Sequence, residues 1–197
     1  MQKNDIHYSV MIVSLSEQFD MVVKNALRSK VSSGSLTTVD TFKNVALARR
    51  KLLEKDYDIV IINTPLQDES GVEFALDISE MGNYGVLVVT PQEIYDYVFE
   101  QVTEYGIFVA TKPMSNERVS QTLGQLLAVW KKIKEVEKKV EVLNDRLEEL
   151  RIISKAKIVL VEKEKMTEDE AHRFIGKKAM DTGLSRKKVA MMILEDY

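Results

Sequence analysis

The feature that most constrains the fold is a heptad repeat of apolar residues between positions 126 and 150. None of its eight positions is polar, and we call them the seam: Leu126, Val129, Ile133, Val136, Val140, Leu143, Leu147 and Leu150. A mean spacing of about 3.5 residues keeps these side chains on one narrow side of a helix, which is best buried against a second copy of the chain. The sequence therefore predicts a homodimer held by a coiled-coil helix over residues 123–150.

A second interpretation of the same repeat is a long amphipathic helix that packs on its own domain. After Leu150 the repeat lapses, because the next two seam positions are Ser154 and Lys157. The helix is therefore expected to pack on a different element from there on.

Composition sets the outer limits of the fold. A chain of 197 residues with 45% hydrophobic content can bury one ordinary core and a smaller second one. Because there is no cysteine, neither disulfides nor a thiolate metal site can form. No apolar run resembles a signal peptide or a membrane span, so we expect a cytoplasmic protein without a membrane partner.

Charge is divided unevenly along the chain. From Arg151 onward, 11 Lys or Arg residues stand against 8 Asp or Glu, a net charge of +3. The first 150 residues have 17 against 23, a net charge of −6. Any polyanion is therefore expected to bind the C-terminal part.

Short apolar runs alternate with helical patterns over the first 125 residues. The predicted strands lie at 8–13, within the segment SSGSLTTVD, and at 59–62, 85–89 and 107–110. The run at 59–62 consists of four β-branched residues, which is typical of a strand buried on both faces. This alternation predicts an α/β fold with a five-stranded, doubly wound parallel sheet, whose site would lie at the carboxyl ends of the strands.

Five residues stand at or just beyond the ends of these strands: Ser14, Leu15, Asn63, Thr90 and Lys112. The segments IVIINTPLQDESG, VLVVT and IFVATKP resemble the receiver domain of two-component response regulators. In that family an acidic pair after the first strand binds Mg²⁺ and an Asp after the third strand accepts phosphate, while a Thr or Ser and a Lys complete the site. The resemblance therefore implies a flavodoxin-like receiver fold over residues 1–122.

The site itself departs from the family pattern. Ser14 and Leu15 replace the acidic pair and Asn63 replaces the phosphate acceptor. Magnesium prefers carboxylate oxygens, and a carboxamide is too poor a nucleophile to form an acyl phosphate. We therefore predict a pseudo-receiver with no metal and no cofactor, regulated by a partner protein or ligand. In it, Lys112 is expected to hydrogen-bond Asn63 and strand-end carbonyls.

The C-terminal residues predict a compact three-helix domain over 151–197. Thr167 and Glu170 have capping-box spacing, Gly183 marks a helix end, and Ser185 precedes the last helix. The residues expected to face inward are Ala171, Phe174, Ile175, Ala179, Val189, Met192 and Ile193.

This segment resembles the ANTAR domain, the RNA-binding output module of transcription antitermination regulators. The similarity rests on Arg151-Ile152-Ile153, Ala156-Lys157, Val159-Leu160, Thr167 to Ala171, Ala179-Met180, Leu184 and Val189-Ala190. The chain departs from the family at Ile158, Val161 and His172, where Gly, Met and an aromatic ring are usual. In the family, a dimer binds tandem stem-loops in a leader transcript and prevents a terminator hairpin from forming.

Basic residues of the same segment are the candidate RNA contacts: Arg151, Lys157, His172, Arg173, Lys177, Lys178, Arg186 and Lys187. Basic groups near a helix start suit phosphate, and flat groups such as imidazole and guanidinium can stack on unpaired bases. The alternative for any single residue is an ordinary solvated surface position.

The leading hypothesis is a dimeric RNA-binding antiterminator with a pseudo-receiver. The alternative is a protein-interaction or DNA-binding relative of response regulators without antitermination activity. We predict no enzyme activity, because the only two histidines, His7 and His172, lie in different domains and no phosphate-cradling glycine pattern occurs.

Overall fold

The computed structural model describes residues 8–30, 36–82 and 84–196. His7 and part of the predicted turn before the second strand lie outside these residues. The chain divides into two compact units, Met1–Ile133 and Lys134–Tyr197, and each is described separately.

Five strands alternate with helices in the first unit, and three helical segments build the second. The elements are β1 (Tyr8–Val13), α1 (Glu17–Lys30), β2 (Leu36–Phe42), α2 (Val45–Glu54), β3 (Ile59–Asn63), α3 (Gly71–Met81), β4 (Gly85–Pro91), α4 (Tyr95–Val102), β5 (Phe108–Lys112), α5 (Asn116–Lys163), α6 (Glu168–Thr182) and α7 (Arg186–Asp196). Short 3-10 turns at Gln92–Ile94 and Thr103–Tyr105 flank α4.

The sheet confirms the predicted fold class. All paired strands are parallel, and their order is β2-β1-β3-β4-β5. Every residue of β3 is buried, as expected for a strand with helices on both faces, whereas β5 at one edge is only half-buried. The first strand has the predicted bounds.

Two apolar layers cover the sheet because alternate residues of each strand point to opposite faces. On one face Ile12 and Ile61 pack with Leu27 of α1 and Leu123 of α5. The other face is covered by α2, α3 and α4, whose buried residues there include Phe74. These two layers hold the sheet in place and so fix the positions of the strand ends, where the candidate site is expected.

The start of α5 belongs to the core of the first unit, which corrects two predictions. Leu123, Leu126, Leu127 and Trp130 are all buried in that core. The first unit therefore continues to Ile133 rather than ending at residue 122. Leu126 is only 1% exposed, so it is not available to a second copy as a seam residue.

The second unit contains the end of α5 together with α6 and α7. The predicted capping box is present: Glu170 N–H donates to Thr167 Oγ1, and Thr167 N–H donates to a Glu170 carboxylate oxygen. Gly183 ends α6 with a left-handed φ of 67°. Lys188 N–H donates to Ser185 Oγ at 3.3 Å at the start of α7.

A small cluster of aliphatic side chains holds these three helical segments together: Ala156, Leu160, Ala171, Ile175, Ala179, Val189, Ala190 and Ile193. Two residues predicted to face inward do not, because Phe174 is 38% exposed and Met192 is 39% exposed. Within the described ranges, no helix is both long and apolar enough to cross a membrane.

Candidate functional site

Three of the five predicted strand-end residues meet in one hydrogen-bonded chain. Asn63 Nδ2 donates to Ser14 Oγ at 3.1 Å, and Lys112 Nζ donates to Asn63 Oδ1 at 3.1 Å. The Lys112 ammonium also donates to the Thr64 carbonyl oxygen. The parallel sheet brings these residues together because Ser14 follows β1, Asn63 ends β3 and Lys112 ends β5. Lys112 thus makes the hydrogen bonds predicted for it.

The other two strand-end residues do not take part in this chain. Thr90 is fully buried, and its Oγ1 has no hydrogen-bond partner among the residues the structure describes. Leu15 is 41% exposed. The Thr64 carbonyl, directly after β3, is one of the strand-end carbonyls to which Lys112 was predicted to donate.

The electrostatics of this site differ from those of a metal site. Within residues 8–30, 36–82 and 84–196, no carboxylate lies within 4.0 Å of the Lys112 ammonium. Burial lowers the pKa of Lys112. Ser14, Asn63 and Lys112 offer a hydroxyl, an amide and a cation, and this set does not fit Mg²⁺, which prefers carboxylates. Among the described residues there is no group of three or more His, Cys, Asp or Glu that could hold a metal ion.

Basic residues gather on α6 and at the start of α7. His172, Arg173 and Lys177 are exposed on α6, and Arg173 Nε donates to the Asp169 carbonyl at 3.3 Å. Arg186 reaches α6, because a Cβ placed on Gly176 would lie 3.7 Å from its Nη2. We call the following six residues the basic surface: His172, Arg173, Lys177, Lys178, Arg186 and Lys187.

Two predicted RNA contacts lie outside the basic surface. Lys157 Nζ pairs with Glu168 Oε1 at 2.6 Å, and only 21% of the Lys157 side chain is exposed. The hydrogen bond from Lys157 also lowers the pKa of Glu168. Lys157 therefore links α5 to α6 instead of presenting a free cation. Arg151 is exposed on α5, with Glu148 of the same helix 4.0 Å away.

The seam residues after Leu126 are uncovered within the chain. Their exposed fractions lie between 40% and 63%, and the residues are Val129, Ile133, Val136, Val140, Leu143, Leu147 and Leu150. An apolar stripe this long that the rest of the described chain leaves exposed is typical of an interaction surface.

The C-terminal residues match a known family. Residues 141–194 match the ANTAR domain, and this match begins inside the segment predicted as coiled coil. Together with the receiver-type sheet, it gives the class of architecture: a C-terminal ANTAR domain preceded by a receiver-like domain. The ANTAR family is not enzymatic, which confirms the prediction that the chain is not an enzyme.

Particular proteins are similar to parts of this architecture. The chain is 28% identical over 139 residues to the transcriptional regulatory protein PdtaR of Mycobacterium tuberculosis, a match that covers 70% of this chain and 67% of that protein. The first unit is similar to the response regulatory domain of MrkE from Klebsiella pneumoniae, with a TM-score of 0.54 at 17% identity over 62% of this chain and 98% of that one. It is also similar to CheY4 of Vibrio cholerae, with a TM-score of 0.51 at 18% identity over 61% and 98%.

Proposed function

We propose that the protein acts in the cytoplasm as a homodimer that binds paired stem-loops in a leader transcript and so prevents a terminator hairpin from forming. The observation that carries the proposal is the basic surface, which α6 and α7 form within the ANTAR domain. Exposed cations on neighbouring helices can neutralise phosphates on both sides of an RNA loop.

The seam supports the proposed dimer. Burying an exposed Leu or Val side chain contributes about 1.5–3 kcal/mol when the burial is complete. The seven exposed seam residues can therefore supply ample energy for a parallel pair, even though part of each side chain already rests on its own helix. A dimer carries two basic surfaces, and two linked sites bind a paired target far more tightly than one.

Regulation is proposed to be independent of phosphorylation. Asn63 offers an amide where a receiver needs a carboxylate, and its oxygen already accepts a hydrogen bond from Lys112. A partner protein or ligand that binds the receiver-like domain is then the source of the signal. To transmit a signal, such a partner protein or ligand would have to bind one conformation of the receiver-like domain more tightly than another.

The experiment that tests the proposal is a gel-shift titration of the full chain. We expect binding to a transcript with two tandem stem-loops, much weaker binding to a single stem-loop, and weak, non-selective binding to duplex DNA. Equal affinity for duplex DNA, or no binding to the transcript, would favour the alternative of a DNA-binding or protein-interaction regulator.

A further inference from the structure

The second unit leaves its one phenylalanine outside its core. Phe174 is 38% exposed, although it is the only Phe, Tyr or Trp between Lys131 and Asp196. The buried cluster of this unit has eight aliphatic residues, of which four are alanine. Phenylalanine is among the residue types most often buried, and aromatic rings provide the largest apolar area. A unit with so thin a core loses stability by exposing this ring, which indicates a role at the surface.

The neighbours of the ring are cations. Lys178 follows one helical turn later, and its Nζ lies 5.7 Å from the ring centroid of Phe174. Arg173 and Lys177 are exposed on the same helix, one and three residues away. The Lys178 ammonium lies over one face of the Phe174 ring. An exposed ring of this kind can stack a nucleotide base on its other face, while the cation meets the phosphate.

We propose that Phe174 is a stacking platform for an unpaired loop base, with Lys178 holding the adjacent phosphate. This inference rests on the proposed function and specifies which part of the RNA is read. Bases within a stem already stack on their neighbours, whereas unpaired loop bases are free to stack on the protein. Phe174 therefore makes its side of the basic surface, which includes Lys178, selective for loops over continuous duplex.

The same geometry reassigns the base-stacking role that was predicted for His172. Residues two apart on an α-helix differ by about 200° around its axis, so His172 and Phe174 point to nearly opposite sides of α6. They cannot stack on one base together. Stacking falls to Phe174, which has the larger ring and the adjacent ammonium, and His172 lies on the side of α6 where Gly176 meets Arg186.

The test uses the full chain and a pool of RNAs with two tandem stem-loops whose loop nucleotides are randomised. RNAs selected by the wild-type protein are then titrated against Phe174→Leu, Phe174→Tyr and the control Met191→Ala. Met191 is a matched control because it is also an exposed apolar residue of this unit, but it lies on α7.

We expect Phe174→Leu to weaken binding by about 5- to 150-fold, the range observed when a stacked aromatic residue is lost. Phe174→Tyr should retain the affinity because it keeps the ring, and Met191→Ala should bind like the wild type. The slope of log K against log salt should not change in Phe174→Leu, since no charge is removed. If Phe174→Leu acted only by destabilising the second unit, this combination of results for the three variants would not be expected.

A second measurement needs no substitution. Selected RNAs with 5-iodouracil in the loop are irradiated in complex with the wild-type protein, and the crosslinked peptide is identified by mass spectrometry. We expect the crosslink at Phe174. A crosslink found only on α7, or equal affinity of Phe174→Leu and the wild type, would overturn this inference while leaving RNA binding in place. Failure of the wild type to select any RNA would instead overturn the proposed function.

Discussion

Replacing Leu143 by Gln tests whether the seam holds two copies together. Leu143 is 55% exposed within the chain, and complete burial of a Leu side chain contributes about 1.5–3 kcal/mol. Burying the remaining surface thus contributes about 0.8–1.7 kcal/mol for each copy and about 1.6–3.3 kcal/mol for a pair. At about 1.4 kcal/mol per factor of ten, Leu143→Gln should weaken dimerisation by about 15- to 200-fold. Gln forms helices about as well as Leu, so α5 itself should persist.

Val142→Gln is the matched control for this variant. Val142 is the neighbouring residue and is 44% exposed, but it lies outside the seam. Sedimentation equilibrium from nanomolar to high micromolar concentration gives the dimer dissociation constant, and circular dichroism reports the helix content. We expect Val142→Gln to dimerise like the wild type. Equal weakening by the two substitutions, or a wild type that stays monomeric throughout, would refute the assignment of the seam.

Three further predictions concern the basic surface, the strand-end site and the first core. Lys177→Ala should weaken RNA binding and reduce the salt slope by about 0.7–0.9, the share of one phosphate contact, whereas Arg28→Ala on α1 should change neither quantity. With acetyl phosphate and Mg²⁺ the wild type should gain no covalent phosphate by intact-mass spectrometry, because Asn63 cannot form an acyl phosphate; a phosphorylated species would contradict this. Asp40→Asn should lower the free energy of unfolding by about 0.5–2 kcal/mol, because the Asp40 carboxylate accepts a hydrogen bond from Lys55 at 2.7 Å. Urea unfolding monitored by tryptophan fluorescence measures this change. That hydrogen bond lowers the pKa of Asp40, so its contribution to the free energy of unfolding should be complete above the unfolded pKa of about 3.9 and lost as pH falls through the folded pKa. A stability difference between Asp40→Asn and the wild type that persisted below the folded pKa would contradict this prediction.

Local patterns were sufficient to predict most of the fold. Four β-branched residues in a row identified β3, and the spacing of Thr167 and Glu170 identified the start of α6, because strands and capping boxes depend on residues close together in the sequence. The meeting of Asn63 with Lys112 was also predictable, since parallel strands end at one edge of the sheet.

Contacts between distant segments explain what the sequence did not reveal. A heptad repeat shows that Leu126 faces an apolar surface, but not whether its own domain or a second copy provides that surface. Lys157 of α5 pairs with Glu168 of α6 across the turn between the two helices. Because the sequence alone does not show this pairing, Lys157 was predicted to be a free cation that contacts RNA. Phe174 fits the helical period of the buried residues Ala171 and Ile175, so it was predicted to face inward. The packing of the three helical segments nevertheless leaves its side chain outside the core of the second unit.

The strand-end site of the first unit is already filled by its own side chains. Asn63 donates to Ser14 Oγ and accepts from Lys112, so both polar groups of the amide are engaged. Lys112 gains a second acceptor in the Thr64 carbonyl, and Ser14 Oγ also accepts from Ser16 N–H at 3.0 Å. A phosphoryl group or cation would have to break these hydrogen bonds, and it would find no carboxylate among them to offset the loss. A signal that reaches this domain is therefore expected to act on another surface, which is why the regulatory partner should be sought among proteins and ligands that bind outside the strand ends.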